Sequence, residues 1–156
     1  MLKAILPNSV RPVPAVSAAV IRGGQILMVR RRNPPNAGLL ALPGGKVEAG
    51  ETLHQAAARE LREETGVVAI PQQVLTAIDV FDHDAAGQLT QHFVIVVIRL
   101  VWQGGVEAAA DDASELRWMN LEALARGDGE VCESALRVAQ RVLGDAVSAE
   151  NALKPV

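Results

Sequence analysis

The chain has 156 residues, a formal net charge of −3 and one cysteine. That length is enough for one ordinary domain with a hydrophobic core of its own, so folding requires neither disulfides nor a structural metal. The acidic balance argues against a surface for nucleic-acid polymers, which need an excess of Lys and Arg, and the lone Cys132 cannot close an intramolecular disulfide.

Residues 1–15 carry one Lys and a short apolar stretch broken by Pro7, without the apolar core and cleavage site of a secretory signal. The longest apolar run, 93–102, is interrupted by Arg99 and is too short to cross a bilayer as a helix. These readings predict a cytoplasmic protein without a membrane partner. Aromatic residues are few, Phe81, Phe93, Trp102 and Trp118, with no Tyr.

The elements follow in chain order. Residues 15–21 and 25–29 are apolar runs around Gly23-Gly24 and predict a β-hairpin, closed by Arg30, Arg31 and Arg32. Residues 33–38, with Pro34 and Pro35, are a loop, and 39–42 a short strand ending at Pro43-Gly44-Gly45. The spacing predicts a helix over 52–65: Thr52 suits the N-cap, Leu53, Ala56, Ala57 and Leu61 make an apolar stripe, and Gly66 stands where the helix should end. Strands are expected at 74–80 and 90–102 around a loop with Gly87 near its tip, then an acidic loop, a strand at 116–119 and a helix over 130–143. The last dozen residues, from about 145 to 156, are expected to form a loosely held tail.

The helix carries the chemistry. Positions three and four apart share a face, so Glu60, Glu63 and Glu64 are expected to project together, with Glu51 just before the helix. A solvated acidic face is the plain explanation, yet Glu60 and Glu64 repel as an i,i+4 pair and the cluster opposes the helix dipole. An unfavourable local choice suggests another duty, and clustered hard oxygens are what Mg²⁺ or Mn²⁺ requires. Gly44 and Gly45 allow close backbone approach, and the Gly44 carbonyl offers a further hard oxygen. Arg59 is either a surface partner of Glu63 or an organiser of the carboxylates; the second is preferred.

Gly45, Glu51 after five residues, Arg59-Glu60 after seven more, Leu61, Glu63-Glu64, Gly66 and Val67 fill every position of a long pattern. This resembles the signature of the Nudix hydrolase family. The resemblance implies an α/β fold of the α+β type, an α/β/α sandwich with a mixed β-sheet, in one domain over 1–156 with the signature at 45–67 as a loop-helix-loop. It implies Glu60, Glu64 and the Gly44 carbonyl as ligands of Mg²⁺ or Mn²⁺, Glu63 as ligand or general base, and Glu51 with Arg59 holding the site together. It also implies water attack on a nucleoside diphosphate linked to another group.

The base is not always in the signature helix, and Glu107, Asp111, Asp112 and Glu115 are candidates in the later acidic stretch, with Glu115 or Asp112 preferred. Arg31 and Arg32 are candidate phosphate binders beside Gly45. Many relatives have Trp where this chain has Leu40, which removes an aromatic shelf for a base; Phe81 or Phe93 could stack one, with a core role favoured for Phe93. His83 and His92 lack partners at zinc spacing.

The leading expectation is a hydrolase of a nucleoside diphosphate sugar, with ADP-ribose the first substrate to test. The alternatives are a pyrophosphatase for modified nucleoside triphosphates and a non-catalytic nucleotide sensor. Pairing into a homodimer is a further expectation from the resemblance.

Overall fold

The computed structural model describes residues 9–127 and 129–152. Most of the residues on which the signal-peptide argument rests, and residues 153–156 of the expected tail, lie outside that range. The strands are β1 (Val13–Arg22), β2 (Gln25–Arg31), β3 (Leu40–Ala41), β4 (Gly44–Lys46), β5 (Val67–His83), β6 (Leu89–Gly105) and β7 (Ala113–Met119), with helices α1 (Leu53–Thr65), α2 (Leu121–Ala125) and α3 (Glu133–Ala152).

The hairpin at Gly23-Gly24 forms as its turn chemistry predicts, joining β1 to β2 in antiparallel register. Beyond it the sheet is mixed. Strand β1 runs parallel to β6, from Val13 opposite Phe93 to Val20 opposite Leu100, while β5 folds back antiparallel on β6. The order is β3-β2-β1-β6-β5, with β4 paired to β1 and β7 to β2.

Alternation along each strand then sorts side chains between two cores. Val16, Ala18 and Val20 of β1, Leu27 of β2, and Ile98 and Leu100 of β6 pack with Ala56, Ala57 and Leu61 of α1. Ala19, Ile26, Met28 and Val97 face the other way, onto Leu124 of α2 and Ala135, Val138, Ala139 and Leu143 of α3. Helices therefore cover both sides of the sheet in an α/β/α sandwich.

Three elements differ from expectation. Strands β5 and β6 are longer than 74–80 and 90–102, because the ladder absorbs Pro71 through an irregular register rather than ending there. Strand β4 and helix α2 are too short for periodicity to reveal. Helix α3 begins later than 130, since Val131 instead bridges Leu40, and it continues to Ala152 through the first part of the expected tail.

Candidate active site

Helix α1 is fixed at both ends by its own sequence. Thr52 Oγ1 accepts from the Gln55 amide at 3.1 Å while Gln55 Oε1 accepts from the Thr52 amide at 2.9 Å, a reciprocal capping box. Gly66, at φ 70°, stops the helix, and its N–H donates to the Arg62 carbonyl at 2.9 Å. The helix thereby presents Glu60 and Glu64 to strand β4.

Strand β4 can lie this close only because it begins with two glycines. A Cβ on Gly45 would collide with the Glu60 carboxylate, and one on Gly44 with the Val16 carbonyl oxygen on β1. The Gly44 N–H donates to Glu64 Oε2 at 3.2 Å. Glu64 is only 7% exposed, and burial, then the neighbouring Glu60 charge, push its carboxyl up to about 8. Burial also raises Glu60, against the pull of Arg59.

Arg59 joins the surrounding carboxylates. Its Nε and Nη2 donate to the two oxygens of Glu51 at 3.0 and 2.6 Å, a bidentate pair. Nη1 reaches Glu60 Oε1 at 2.9 Å and Glu63 Oε2 at 3.2 Å, and Nη2 also reaches the Lys46 carbonyl at 3.1 Å. The guanidinium holds Glu51 down at about 2, helped by the Glu48 N–H.

Glu63 does not line the cavity with Glu60 and Glu64. It lies toward Arg59 and is 45% exposed at its side chain, whereas the other two line a cavity of about 690 Å³. The 100° step per residue explains this: the buried stripe runs through Leu61, Glu64 and Thr65, and Glu63 falls on its flank.

The cavity continues from the carboxylates between the sheet and the start of α3. Arg31 and Asp112 border its polar end; Val29, Ile78, Val80, Phe93, Ile95 and Val97 make an apolar wall, with Gln91 at its rim. Arg31 is steadied by the Pro35 carbonyl, which accepts from its Nε at 2.8 Å. Arg32 points elsewhere, donating to the Ala113 carbonyl at 3.2 Å, because it lies just past the end of β2, beyond the register shift between Arg30 and Arg31. Asn33, Asn36, Lys46, Glu48 and Ser134 also border the cavity without any sequence signal that singled them out.

Of the two preferred acidic candidates after β6, only Asp112 reaches the cavity. The loop bearing it is pinned where the Ala108 and Ala110 amides donate to the Thr65 and Glu64 carbonyls, each at 3.0 Å. The Asp112 carboxylate accepts from Asn33 Nδ2 at 2.7 Å. Glu115 instead stands opposite Arg30 in the β2–β7 register and pairs with Arg30 and Arg117, each at 2.6 Å. Those guanidinium groups lower its pKa, Arg30 foremost, and it does not border the cavity.

Glu107 closes a latch on the same loop. Its carboxylate pairs with Arg22 at 2.9 Å and accepts from Trp118 Nε1 at 3.2 Å, while the Arg22 guanidinium lies 4.3 Å from the Trp118 ring centroid and 4.9 Å from that of Trp102. Leu40 is fully buried beneath α3, so an aromatic shelf at that position is replaced by core packing. Phe93 borders the cavity, whereas Phe81 is 53% exposed against His92.

Among the described residues no three His, Cys, Asp or Glu side chains stand together as a preformed metal cage. The donors nonetheless suit a hard dication in kind. Glu60 and Glu64 are inward carboxylates that burial pushes toward the neutral form, and a dication between them would reverse that preference.

The NUDIX domain family profile matches residues 11–136. The chain belongs to the Nudix family. Among Nudix relatives it is 37% identical over 113 residues to the ADP-ribose pyrophosphatase of Methanocaldococcus jannaschii, an alignment that spans 72% of this chain and 64% of that protein. Among solved Nudix structures, a MutT hydrolase from Burkholderia pseudomallei superposes with a TM-score of 0.71 at 29% identity, over 84% of this chain and 97% of that one. A bifunctional NMN adenylyltransferase/ADP ribose pyrophosphatase from Francisella tularensis, complexed with AMP and a manganese ion, also gives 0.71 at 28% identity, over 88% of this chain and 42% of that one.

Proposed function

We propose that the protein hydrolyses the diphosphate linkage of a nucleoside diphosphate derivative, with ADP-ribose as its substrate. The observation that carries this reading is the pairing of the buried Glu64 and the half-buried Glu60 with the glycine step of β4, both carboxylates lining a cavity that also has an apolar wall. Likeness to the archaeal ADP-ribose pyrophosphatase supports the choice of substrate.

In this reading Glu60, Glu64 and the Gly44 carbonyl hold Mg²⁺ or Mn²⁺. The bound cation supplies neutralisation of the diphosphate and polarisation of the attacked phosphorus. Arg31 takes non-bridging phosphate oxygens, and Gly45 leaves room for the phosphates at the carboxylates. Asp112, its carboxylate oriented by Asn33, takes the proton of the attacking water, and the anhydride P–O bond breaks toward the second phosphate. Arg59 and Glu51 keep Glu60 in place rather than touching substrate. Glu63 serves the same electrostatic frame through Arg59.

A second reading, a nucleoside triphosphate pyrophosphatase, draws support from the apolar wall, which suits a base better than a second sugar rich in hydroxyls. Product identity separates the two. With Mg²⁺ and ADP-ribose, AMP and ribose 5-phosphate are expected; inorganic pyrophosphate released from modified triphosphates, with ADP-ribose left intact, would overturn the first reading in favour of the second.

A further inference from the structure

A second space, of about 260 Å³, opens between the β5–β6 hairpin and α3, and its charged lining is Arg99 and Arg141 against the single Asp145. Arg99 projects into it from β6, two residues beyond Val97 and hence on the same α3-facing side of the sheet; Arg141 enters from α3. Among the described residues neither guanidinium has a carboxylate within 4.0 Å, whereas Arg22, Arg30 and Arg117 on the same sheet each have one. Asp145, one helical turn after Arg141, borders the same space without forming that pair. Even with Asp145 set against Arg141, the charge of Arg99 is left over.

The backbone is shaped around this residue. In the β5–β6 ladder Pro71 lies opposite Leu100 and Val74 opposite Ile98, so two β5 residues bulge past Arg99, and a further shift follows between Val74 and Thr76. Bulges of this kind re-aim side chains and open an edge strand. Here they bring Gln73 and Thr76, an amide and a hydroxyl, to the rim beside Arg99. A half-buried guanidinium offers a planar fork of N–H donors matched to phosphoryl oxygens, and Val142 contributes an apolar floor beneath it. The space is below the size usual for whole nucleotides.

We propose that this pocket binds the phosphoryl group of a small phosphomonoester, at a site separate from the Glu60–Glu64 cavity. The two spaces share only Val138 on α3, so an occupant here packs against the helix that also walls the larger cavity.

The test is a titration of the EDTA-treated full chain with glycerol 3-phosphate, and separately with inorganic phosphate, followed through backbone amide chemical shifts. Saturable shifts are expected at Gln73, Thr76 and Arg99, with glycerol 3-phosphate binding more tightly than inorganic phosphate. Arg99→Gln should weaken binding about tenfold or more, the loss expected for one charge-assisted contact. Arg141→Gln, at an exposed helix position, should weaken it as well and keeps the test decisive if Arg99→Gln misfolds. Arg31→Gln should leave these shifts in place. Shifts confined to residues around Arg31 and Gly45, or equal binding of both probes, would overturn the assignment.

Discussion

Glu64 is a carboxylate held under burial beside a like charge, which pushes it up to about 8 from the ordinary 4.5. A folded-state value above that of the unfolded chain means that its contribution to stability is complete below about 4.5 and is lost as pH rises through about 8. In EDTA, raising the pH from about 5 to about 9 should therefore lower the Tm of the wild type more than that of Glu64→Gln, which cannot ionise. Parallel falls in both proteins would contradict the burial of an acid at this position. The same substitution should reduce kcat/KM about 100-fold or more at saturating Mg²⁺, while Glu115→Gln should cost less than about tenfold, because its carboxylate is spent on Arg30 and Arg117. Similar losses in both variants would show that Glu115 takes part in turnover. The sequence identified Glu60, Glu64, Gly44, Gly45 and Arg59 as neighbours because they lie on one helix or its flanking loop. It could not separate Asp112 from Glu115, since that depends on which carboxylate a cross-strand arginine claims.

Helix α1 was readable to within one residue because both of its ends are written locally, in Thr52 and Gly66. Strand β4 was not, because three residues carry no period and its existence depends on tertiary pairing with β1. The long strands were underestimated for a related reason: Pro71 reads as a break, and only the partner strand shows that the ladder passes it. The loop between β6 and β7 is the element whose geometry matters most to Asp112, and its far end is held by Glu107, Arg22 and Trp118. Glu107→Gln should cost about 1 kcal/mol or less in urea titration, as an exposed ion pair does. Turnover should fall by more than that stability loss accounts for, and tryptophan emission should change because Trp118 loses its charged acceptor. Unchanged turnover with altered emission would mean that the amide bonds to Thr65 and Glu64 hold the loop unaided.

At the scale of the molecule, the sandwich puts the acidic helix on one side of the sheet and α3 on the other, with the cavity reaching from the Glu60–Glu64 end along the sheet beneath α3. Positive charge must intervene between those carboxylates and a diphosphate, so chelation should abolish turnover and Mg²⁺ or Mn²⁺ should restore it. Ca²⁺ should restore it poorly, since its larger and looser coordination sphere positions phosphate oxygens less strictly. Full activity in excess EDTA would remove the basis for the carboxylate mechanism. Among the described residues no helix is long and apolar enough to cross a membrane.

The parallel pairing of β1 with β6 also bears on how the molecule comes into being. The signature helix and strand β4 lie between these two strands in the chain, yet the sheet on which they rest is incomplete until β6 arrives. During synthesis the ribosome therefore exposes the whole acidic signature well before its supporting surface exists, and the long separation between paired strands slows their closure. A nascent chain whose signature has cleared the exit tunnel while residues from 93 onward remain inside it should leave the signature accessible to protease, whereas one in which residue 105 has also cleared the tunnel should protect it.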